Sequence, residues 1–346
     1  MKRQRKIQLL SSLLVVFLLL GGCSGGGSGE KSPSPEGPSD SGGGGTDKQI
    51  QIGLIVPGNV NDNGWCASAY EGLLAIESAY GATVNYIENV GMSDIESQLI
   101  NYGEAGYDIV FCHGFEYTDA VKNVAPRYPD TWYALNSAEE VQAPNVLSVN
   151  QNNLEKGYLA GIVAGLVTQS NIIGAIGGTD IPAVQLSVDG VELGAKYVNP
   201  DVTVIKTITG DNEDTTAALE VANAMANQGA DVLIPVLGSA GLATITVAQE
   251  QGILVVGTNS DMHEFGPDVV VSSSVAGFTD SMPAVVQQML DGTLEAKIYD
   301  FGIADGVVKL APFYDFEDTL PPETLERVRQ VVADIEAGTL TVTKTS

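Results

Sequence analysis

Short apolar segments alternate with helical segments along residues 50–337 of this 346-residue chain. A strand predicted over 50–56 is followed by a helix over 65–80, and the same alternation begins again at 172–176 after a long predicted helix near 154–167. Strands that are apolar throughout are typical of parallel sheets covered by helices on both faces. The pattern therefore predicts an α/β fold with two doubly wound parallel-sheet lobes joined by a hinge.

The body of the chain, from about residue 47 onward, has roughly 300 residues, a natural length for two domains of about 150 residues each. Later helices are predicted over 182–198 and 215–227, and Ser93 with Glu96 predicts a capping box at an earlier helix start. The segments after residue 269 exceed what a second lobe needs. We therefore assign 48–151 plus about 276–308 to an N-terminal lobe, and 152–275 plus about 309–346 to a C-terminal lobe.

The first 46 residues have the pattern of an exported lipoprotein. A basic start precedes an apolar run at 7–20, which is shorter than the roughly 20 residues of a transmembrane helix but typical of a signal peptide. Small residues come directly before Cys23, so we predict a signal peptide at 1–22, lipidation of Cys23 and a flexible Gly/Ser/Pro tether over 23–47. Ordinary secretory cleavage is the alternative. The predicted location is the outward face of a cell membrane, through the lipid anchor.

The formal net charge of −27 at pH 7 argues against nucleic acid or anionic lipid head groups as partners of the body. Beyond the predicted lipidation site only Cys66 and Cys112 occur, and two buried thiols are favoured over a single disulfide. These cysteines and the two histidines, His113 and His263, lack the spacing of metal ligands. The sequence predicts neither a metal nor a cofactor.

Polar side chains follow the predicted strands where the strands end. Ligands of open parallel sheets lie beyond these carboxyl ends, so the loops there form the candidate ligand site. The candidate residues are Asp62, Asn63, Trp65, Phe115, Glu116, Asp119, Asn136 and Asn150 in the first lobe, and Asp180, Gly238, Asn259 and Asp261 in the second. The loops contain no lysine or arginine. We therefore expect a polar ligand that is neutral or cationic, with a flat face that stacks on Trp65 and Phe115.

Structural roles are open for several of these residues. Trp65 begins a helix, where it could pack as a hydrophobic staple, and Phe115 could cap the core after an apolar strand. Carboxylates favour helix N-termini, which offers a second role for Asp62, Glu116, Asp119 and Asp261.

Eight short motifs occur in a fixed order along the chain. They are NDNGW at 61–65, YEG at 70–72, GF at 114–115, APRYPD at 125–130, YLAG at 158–161, GAKYVNPD at 194–201, GADV at 229–232 and GTNSD at 257–261. Together they resemble the basic membrane protein family of ABC-transporter substrate-binding lipoproteins, over most of residues 50–315. The resemblance implies a type I periplasmic-binding-protein fold with two lobes, three crossing strands and a cleft that closes on its ligand.

The resemblance also implies a function and roles for individual residues. Family members deliver a solute, a purine nucleoside in several of them, to the permease subunits of an ABC importer. By this resemblance Trp65 takes the place of the aromatic residue that stacks on the purine, in one loop with residues 62–63. Asn259 and Asp261 fall in the motif whose carboxylate holds the ribose hydroxyls. The chain departs from many members by having Asn259 in place of aspartate and no lysine at 275–278.

Three other functions are open from the sequence alone. A cationic solute such as a quaternary amine also fits acidic, aromatic loops without lysine. A sensory receptor would use the same cleft as a transport protein. A tethered nucleosidase-type hydrolase would need clustered carboxylates that hold a metal, whereas the acidic residues here are scattered one per loop. We therefore predict a binding protein and not an enzyme.

Overall fold

The computed structural model describes residues 49–61 and 65–344. The predicted signal peptide at 1–22, the lipidation site Cys23 and the tether over 23–47 lie outside the described residues, as do Asp62 and Asn63 of the candidate site. Among the helices that are described, none combines the length and the apolar character needed to cross a bilayer.

Twelve strands and ten α-helices alternate along the described chain. The strands are β1 (Gln51–Ile55), β2 (Thr83–Ile87), β3 (Ile109–His113), β4 (Trp132–Asn136), β5 (Val146–Gln151), β6 (Ile172–Gly177), β7 (Thr203–Ile208), β8 (Val232–Val236), β9 (Leu254–Asn259), β10 (Val270–Ala276), β11 (Ile298–Phe301) and β12 (Val308–Leu310). The helices are α1 (Trp65–Tyr80), α2 (Ile95–Glu104), α3 (Thr118–Val124), α4 (Asn153–Val167), α5 (Pro182–Val198), α6 (Thr215–Asn227), α7 (Gly241–Gln251), α8 (Phe278–Leu290), α9 (Phe316–Thr319) and α10 (Pro322–Glu336).

The strands form two six-stranded sheets, in the orders β11-β5-β4-β3-β1-β2 and β12-β10-β9-β8-β6-β7. All pairs in the first sheet are parallel. The sheets confirm the predicted α/β fold with two parallel-sheet lobes. One pair of strands is not parallel: in the second sheet β12 runs antiparallel to β10. β12 follows β11 of the other sheet directly, without the long crossover that joins parallel neighbours of one sheet.

Burial follows strand position within each sheet. Every residue of the central strands β3 and β8 is buried, in agreement with their mainly apolar sequences. The edge strands β2 and β7, each with a neighbour on one side only, contain no buried residue. The expectation of strands buried on both faces therefore holds for the sheet centres and fails at these edges.

Within the described residues the chain passes between the two sheets three times, after β5, after β10 and after β11. The helix after β5 is α4, which packs on β9 and β10 of the second sheet, whereas the helix after β10 is α8, which packs on α1. We propose that the lobes divide at these passages, near residues 151, 276 and 308. The passages would then form the hinge.

The helix pair α4 and α5 is unusually close. Gly157, Gly161 and Gly165 lie along α4, opposite Gly190 and Gly194 of α5. A Cβ atom at any of the five would come closer to the facing helix than side chains tolerate, since the nearest facing atoms are mainly backbone oxygens. Glycine is therefore required here to let the two backbones touch.

Local sequence patterns predicted some helix ends correctly and others not. α5 and α6 begin and end at the predicted residues. The predicted capping box of Ser93 and Glu96 is wrong, because α2 begins at Ile95 after Asp94, with no side-chain cap. The Glu96 carboxylate accepts a hydrogen bond from Asn123 of α3 at 3.3 Å. This carboxylate, which a capping box would bond to the N-cap backbone, therefore makes a tertiary contact instead.

Cys66 and Cys112 are both buried, and no disulfide joins them. The prediction of two buried thiols is therefore confirmed. Burial raises the pKa of the Cys112 thiol, which keeps it protonated.

Candidate functional site

An aromatic cluster lies at the carboxyl ends of β1 and β3. It consists of Trp65 at the start of α1, His113 at the end of β3 and Phe278 at the start of α8. The Trp65 ring centroid lies 4.0 Å from that of His113 and 5.4 Å from that of Phe278. His113 and Phe278 are buried, while Trp65 is 45% exposed. The buried rings therefore support an indole that still offers apolar surface to solvent.

Hydrogen bonds of His113 hold this cluster in place. Its Nε2 lies 2.9 Å from the carbonyl oxygen of Trp65, and its Nδ1 lies 3.1 Å from Nδ2 of Asn136. An amide NH₂ group can only donate, so Nδ1 accepts from Asn136, and Nε2 carries the proton that it donates to Trp65. Asn136 is fully buried. In this structure Asn136 orients His113, which in turn orients Trp65.

The loop after β3 carries three further candidates. Phe115 is 72% exposed, the largest exposed fraction among the described large hydrophobic residues. Asp119 is exposed in the first turn of α3, the position at which a carboxylate complements a helix N-terminus. Glu116 turns its carboxylate toward Gly114, whose φ of 139° suits glycine.

Asn150 lies near the end of β5, beside the first passage between the sheets. Its side-chain oxygen is buried and has no hydrogen-bond partner among the described residues, and the same is true of Asn136. Buried polar atoms without partners are rare and costly in folded proteins. Both atoms lie at strand ends that the sequence assigns to the ligand site.

In the second lobe the structure joins Asn259 to a residue that sequence reasoning missed. Lys156, in the first turn of α4, is buried, and its Nζ donates to Oδ1 of Asn259 at 2.7 Å. The strand-end loops lack lysine and arginine, as the sequence shows, but helix α4 brings this lysine side chain to the end of β9. The two residues lie 103 positions apart, and no local signal links them. Burial lowers the pKa of Lys156 from its ordinary value of 10.5 to about 8.

Asp261, just beyond β9, is engaged by its neighbours. It accepts hydrogen bonds from the backbone N–H of His263 at 3.1 Å and from the hydroxyl of Tyr314. The Tyr314 ring stacks on that of His263 with centroids 3.8 Å apart. The hydrogen bond to Asp261 raises the pKa of Tyr314. In this structure the carboxylate therefore has a local structural role.

The remaining candidates of the second lobe lie in the loops after β6 and β8. Asp180 is exposed and accepts from Gln185 Nε2 at 2.6 Å. Gly238 donates its N–H to the carbonyl of Asn212 at 3.1 Å. Glu213, a second residue that sequence reasoning missed, accepts from the backbone N–H of Ser239 at 3.1 Å. A Cβ at Gly238 would meet that carboxylate, so glycine leaves room for this contact.

The structure thus joins some candidates and not others. His113 links Trp65 to Asn136, and Lys156 is joined to Asn259. Among the described residues, no hydrogen bond or ring contact joins a candidate of the first sheet to one of the second. A groove of about 810 Å³ lies elsewhere, between the β12 segment and α10, and none of the described candidates lines it.

Comparison with known proteins shows which family the chain matches. The family model described as "Bmp: ABC transporter substrate-binding protein PnrA-like" matches residues 49–344. The chain is 30% identical to the transcriptional activator protein Med of Bacillus subtilis, over 78% of this chain and 84% of that protein. It is 28% identical to a purine-binding protein of Brucella abortus, over 85% of this chain and 83% of that protein.

A solved structure shows the same fold. The solute-binding protein of an ABC transporter system from Conexibacter woesei superposes with a TM-score of 0.70 at 22% identity. The match covers 85% of this chain and 98% of the other. The two lobes described above therefore have the architecture of a solute-binding protein.

Proposed function

Since the chain belongs to the PnrA-like family of ABC transporter substrate-binding proteins, we propose that it captures a purine nucleoside outside the cytoplasm and presents it to an ABC permease. The name of the Brucella abortus relative supports a purine as the ligand. Members of this family bind solutes for transport, so no catalytic step is proposed. The ligand-binding residues in the proposal are the described candidates at the strand ends, with Asp62 and Asn63 added from the sequence.

The observation that carries the proposal is the aromatic cluster. Trp65 lies at a strand end, backed by the buried rings of His113 and Phe278, with nearly half of its surface exposed. A purine is flat and aromatic, and stacking of a base on such a side chain contributes about 1–3 kcal/mol. Phe115, which is exposed after β3, offers a second aromatic surface in the same lobe.

The second lobe offers groups suited to a sugar. Asn259 at the end of β9 and Asp261 just beyond it can pair with hydroxyl groups, and the Lys156 ammonium is hydrogen-bonded to Asn259. We propose that the lobes close on the ligand about the three passages between the sheets. A ligand with contacts to both lobes would shift an existing open–closed equilibrium toward the closed state.

Thermal unfolding of the mature chain, residues 23–346, tests the ligand class. A ligand that binds the native state at 100 times its dissociation constant adds about 2.7 kcal/mol to the free energy of unfolding. We expect the midpoint to rise with adenosine, inosine or guanosine, and to stay unchanged with pyrimidine nucleosides, free bases and choline. A rise with choline alone would favour the cationic solute. Release of free base from a nucleoside would favour the hydrolase.

The proposed anchor gives a separate prediction. Cys23→Ser removes the thiol that would carry the lipid, and we expect the variant to move from the membrane fraction to the soluble extracytoplasmic fraction. Cys66→Ser is the matched control and is expected to stay with the membrane. If Cys23→Ser also stays there, lipidation at this position is excluded as the cause of anchoring.

The Bacillus subtilis relative named as a transcriptional activator favours a second function, regulation in place of transport. A regulator that acts on genes must reach the cytoplasm. The same fractionation separates the two functions, because the wild-type chain would then be found in the cytoplasmic fraction.

A further inference from the structure

A buried lysine without a carboxylate partner lies beside the candidate site. Lys156 is only 6% exposed, and the single hydrogen bond of its ammonium group within the described part of the chain joins Nζ to the side-chain oxygen of Asn259. An ammonium group has three N–H donors. Two of the three therefore meet no acceptor among the residues that the structure describes.

A structural role explains this arrangement poorly. Taking an ammonium group out of water is expensive, and the one amide oxygen does not carry the opposite charge that would offset the cost. A well-packed apolar side chain of the same length would stabilise the fold at least as well. The fold thus retains a buried cation that gives it little stability.

The partner of Lys156 is held in a fixed orientation. Asn259 ends β9 with a φ of 69°, in the left-handed region that few residues other than glycine adopt. Its Nδ2 donates to the carbonyl of Leu237 at 3.1 Å, which directs Oδ1 toward Lys156. Asn259 itself is exposed at the strand end. The lysine amine is therefore fixed one side chain away from the solvent-facing surface of the site.

The acidic groups on the elements that meet here are occupied elsewhere. Glu155, next to Lys156 on α4, accepts from the backbone N–H of Ile303 at 2.6 Å. Asp261 accepts from Tyr314, and Glu213 accepts from Ser239. β10, which packs on this part of α4, contributes the hydroxyl of Ser274, donated to the Lys156 carbonyl at 2.8 Å. None of these groups neutralises the amine.

We propose that Lys156 is a specificity-determining residue, whose ammonium group, held by Asn259, donates to an oxygen atom of the ligand and excludes cationic solutes. The inference rests on the proposed function and deepens it. The ligand class becomes a neutral or anionic nucleoside with an oxygen acceptor at this end. A quaternary amine would place its positive charge next to the buried ammonium group of Lys156, and the two charges would repel.

Lys156→Met tests the proposal, since methionine keeps the approximate length and removes the charge. In the mature chain we expect binding of adenosine and inosine to weaken roughly 10- to 100-fold, as for a lost hydrogen bond to a charged group. The unfolding midpoint of the ligand-free variant should equal or exceed that of the wild type. Lys196→Met, which removes an exposed lysine paired with Glu192, is the control and should leave binding unchanged. Adenosine has oxygen atoms only on its ribose, so an effect on inosine alone would locate the contact on the base.

The pH dependence of the wild type gives a second readout that needs no variant. Adenosine does not titrate between pH 7 and 9.5, so a loss of affinity above about pH 8 would report deprotonation of Lys156.

An affinity that stays constant across this range would overturn the proposal, as would Lys156→Met binding as tightly as the wild type. If no nucleoside binds the wild type, the proposed function fails together with this inference. If nucleosides bind but both readouts are flat, only this inference fails.

Discussion

Trp65→Ala is expected to weaken nucleoside binding by about 1–3 kcal/mol, roughly 5- to 150-fold in dissociation constant, while the protein remains folded. The stacking surface would be lost, but His113 and Phe278 would stay buried beneath it. Isothermal titration with the nucleoside that gives the largest thermal shift measures the effect. Trp65→Phe is expected to recover most of the affinity, because a smaller ring still stacks.

The chain contains only one other tryptophan, Trp132, which begins β4 at the opposite end of the strand from Asn136. Trp132→Phe therefore leaves Trp65 as the only indole that reports on the site by fluorescence. In that background we expect the ligand to change the emission of Trp65. A normal dissociation constant for Trp65→Ala would remove this residue from the site.

Gly161→Ala is expected to lower the free energy of unfolding by about 2–3 kcal/mol, or the midpoint by roughly 3–5 °C. The added methyl group would collide with the backbone oxygen of Val191 in the facing helix. Alanine has a higher helix propensity than glycine by about 1 kcal/mol. The two effects have opposite signs, so a loss of stability would show that the contact between α4 and α5 outweighs propensity.

Gly91→Ala is the matched control. Apart from its own chain neighbours, no residue has an atom within 4 Å of a Cβ built at this exposed glycine. We expect a change within about 0.5 kcal/mol, as for most surface substitutions. If Gly161→Ala were equally neutral, the helices would be able to separate without cost, and the close packing would not stabilise the second lobe.

Much of the fold could be predicted because local patterns decide it. The apolar runs of β3 and β8 predict central strands, and the periodicity of α5 and α6 locates both ends of each helix. The direction of β12 could not be predicted in this way. Its three residues carry no signal for the sheet they join, and the antiparallel pairing results from a direct passage out of the other lobe.

The candidate site also contains residues that local patterns predict and residues that only the tertiary fold brings together. Strand-end loops gave Trp65 and Asn259 as candidates, because the carboxyl edge of a parallel sheet can be located from the strand pattern alone. Lys156 was missed because it lies inside the predicted helix and not in a loop, and only the tertiary fold brings its amine to Asn259. The ligand-binding roles of all the candidates, Asp62 and Asn63 among them, stay predictions.

The positions of β11 and β12 in the chain affect the order in which the protein can be completed. Each strand forms an edge of one sheet, and both come from the last fifty residues of the 346-residue chain. During synthesis the first sheet cannot gain its sixth strand until Phe301 has left the ribosome, and the second cannot until Leu310 has, with α10 later still. A chain released early, near residue 295, would lack an edge strand in both lobes at once. Because both missing strands come from one short segment, neither sheet reaches its final form while residues 298–310 are absent.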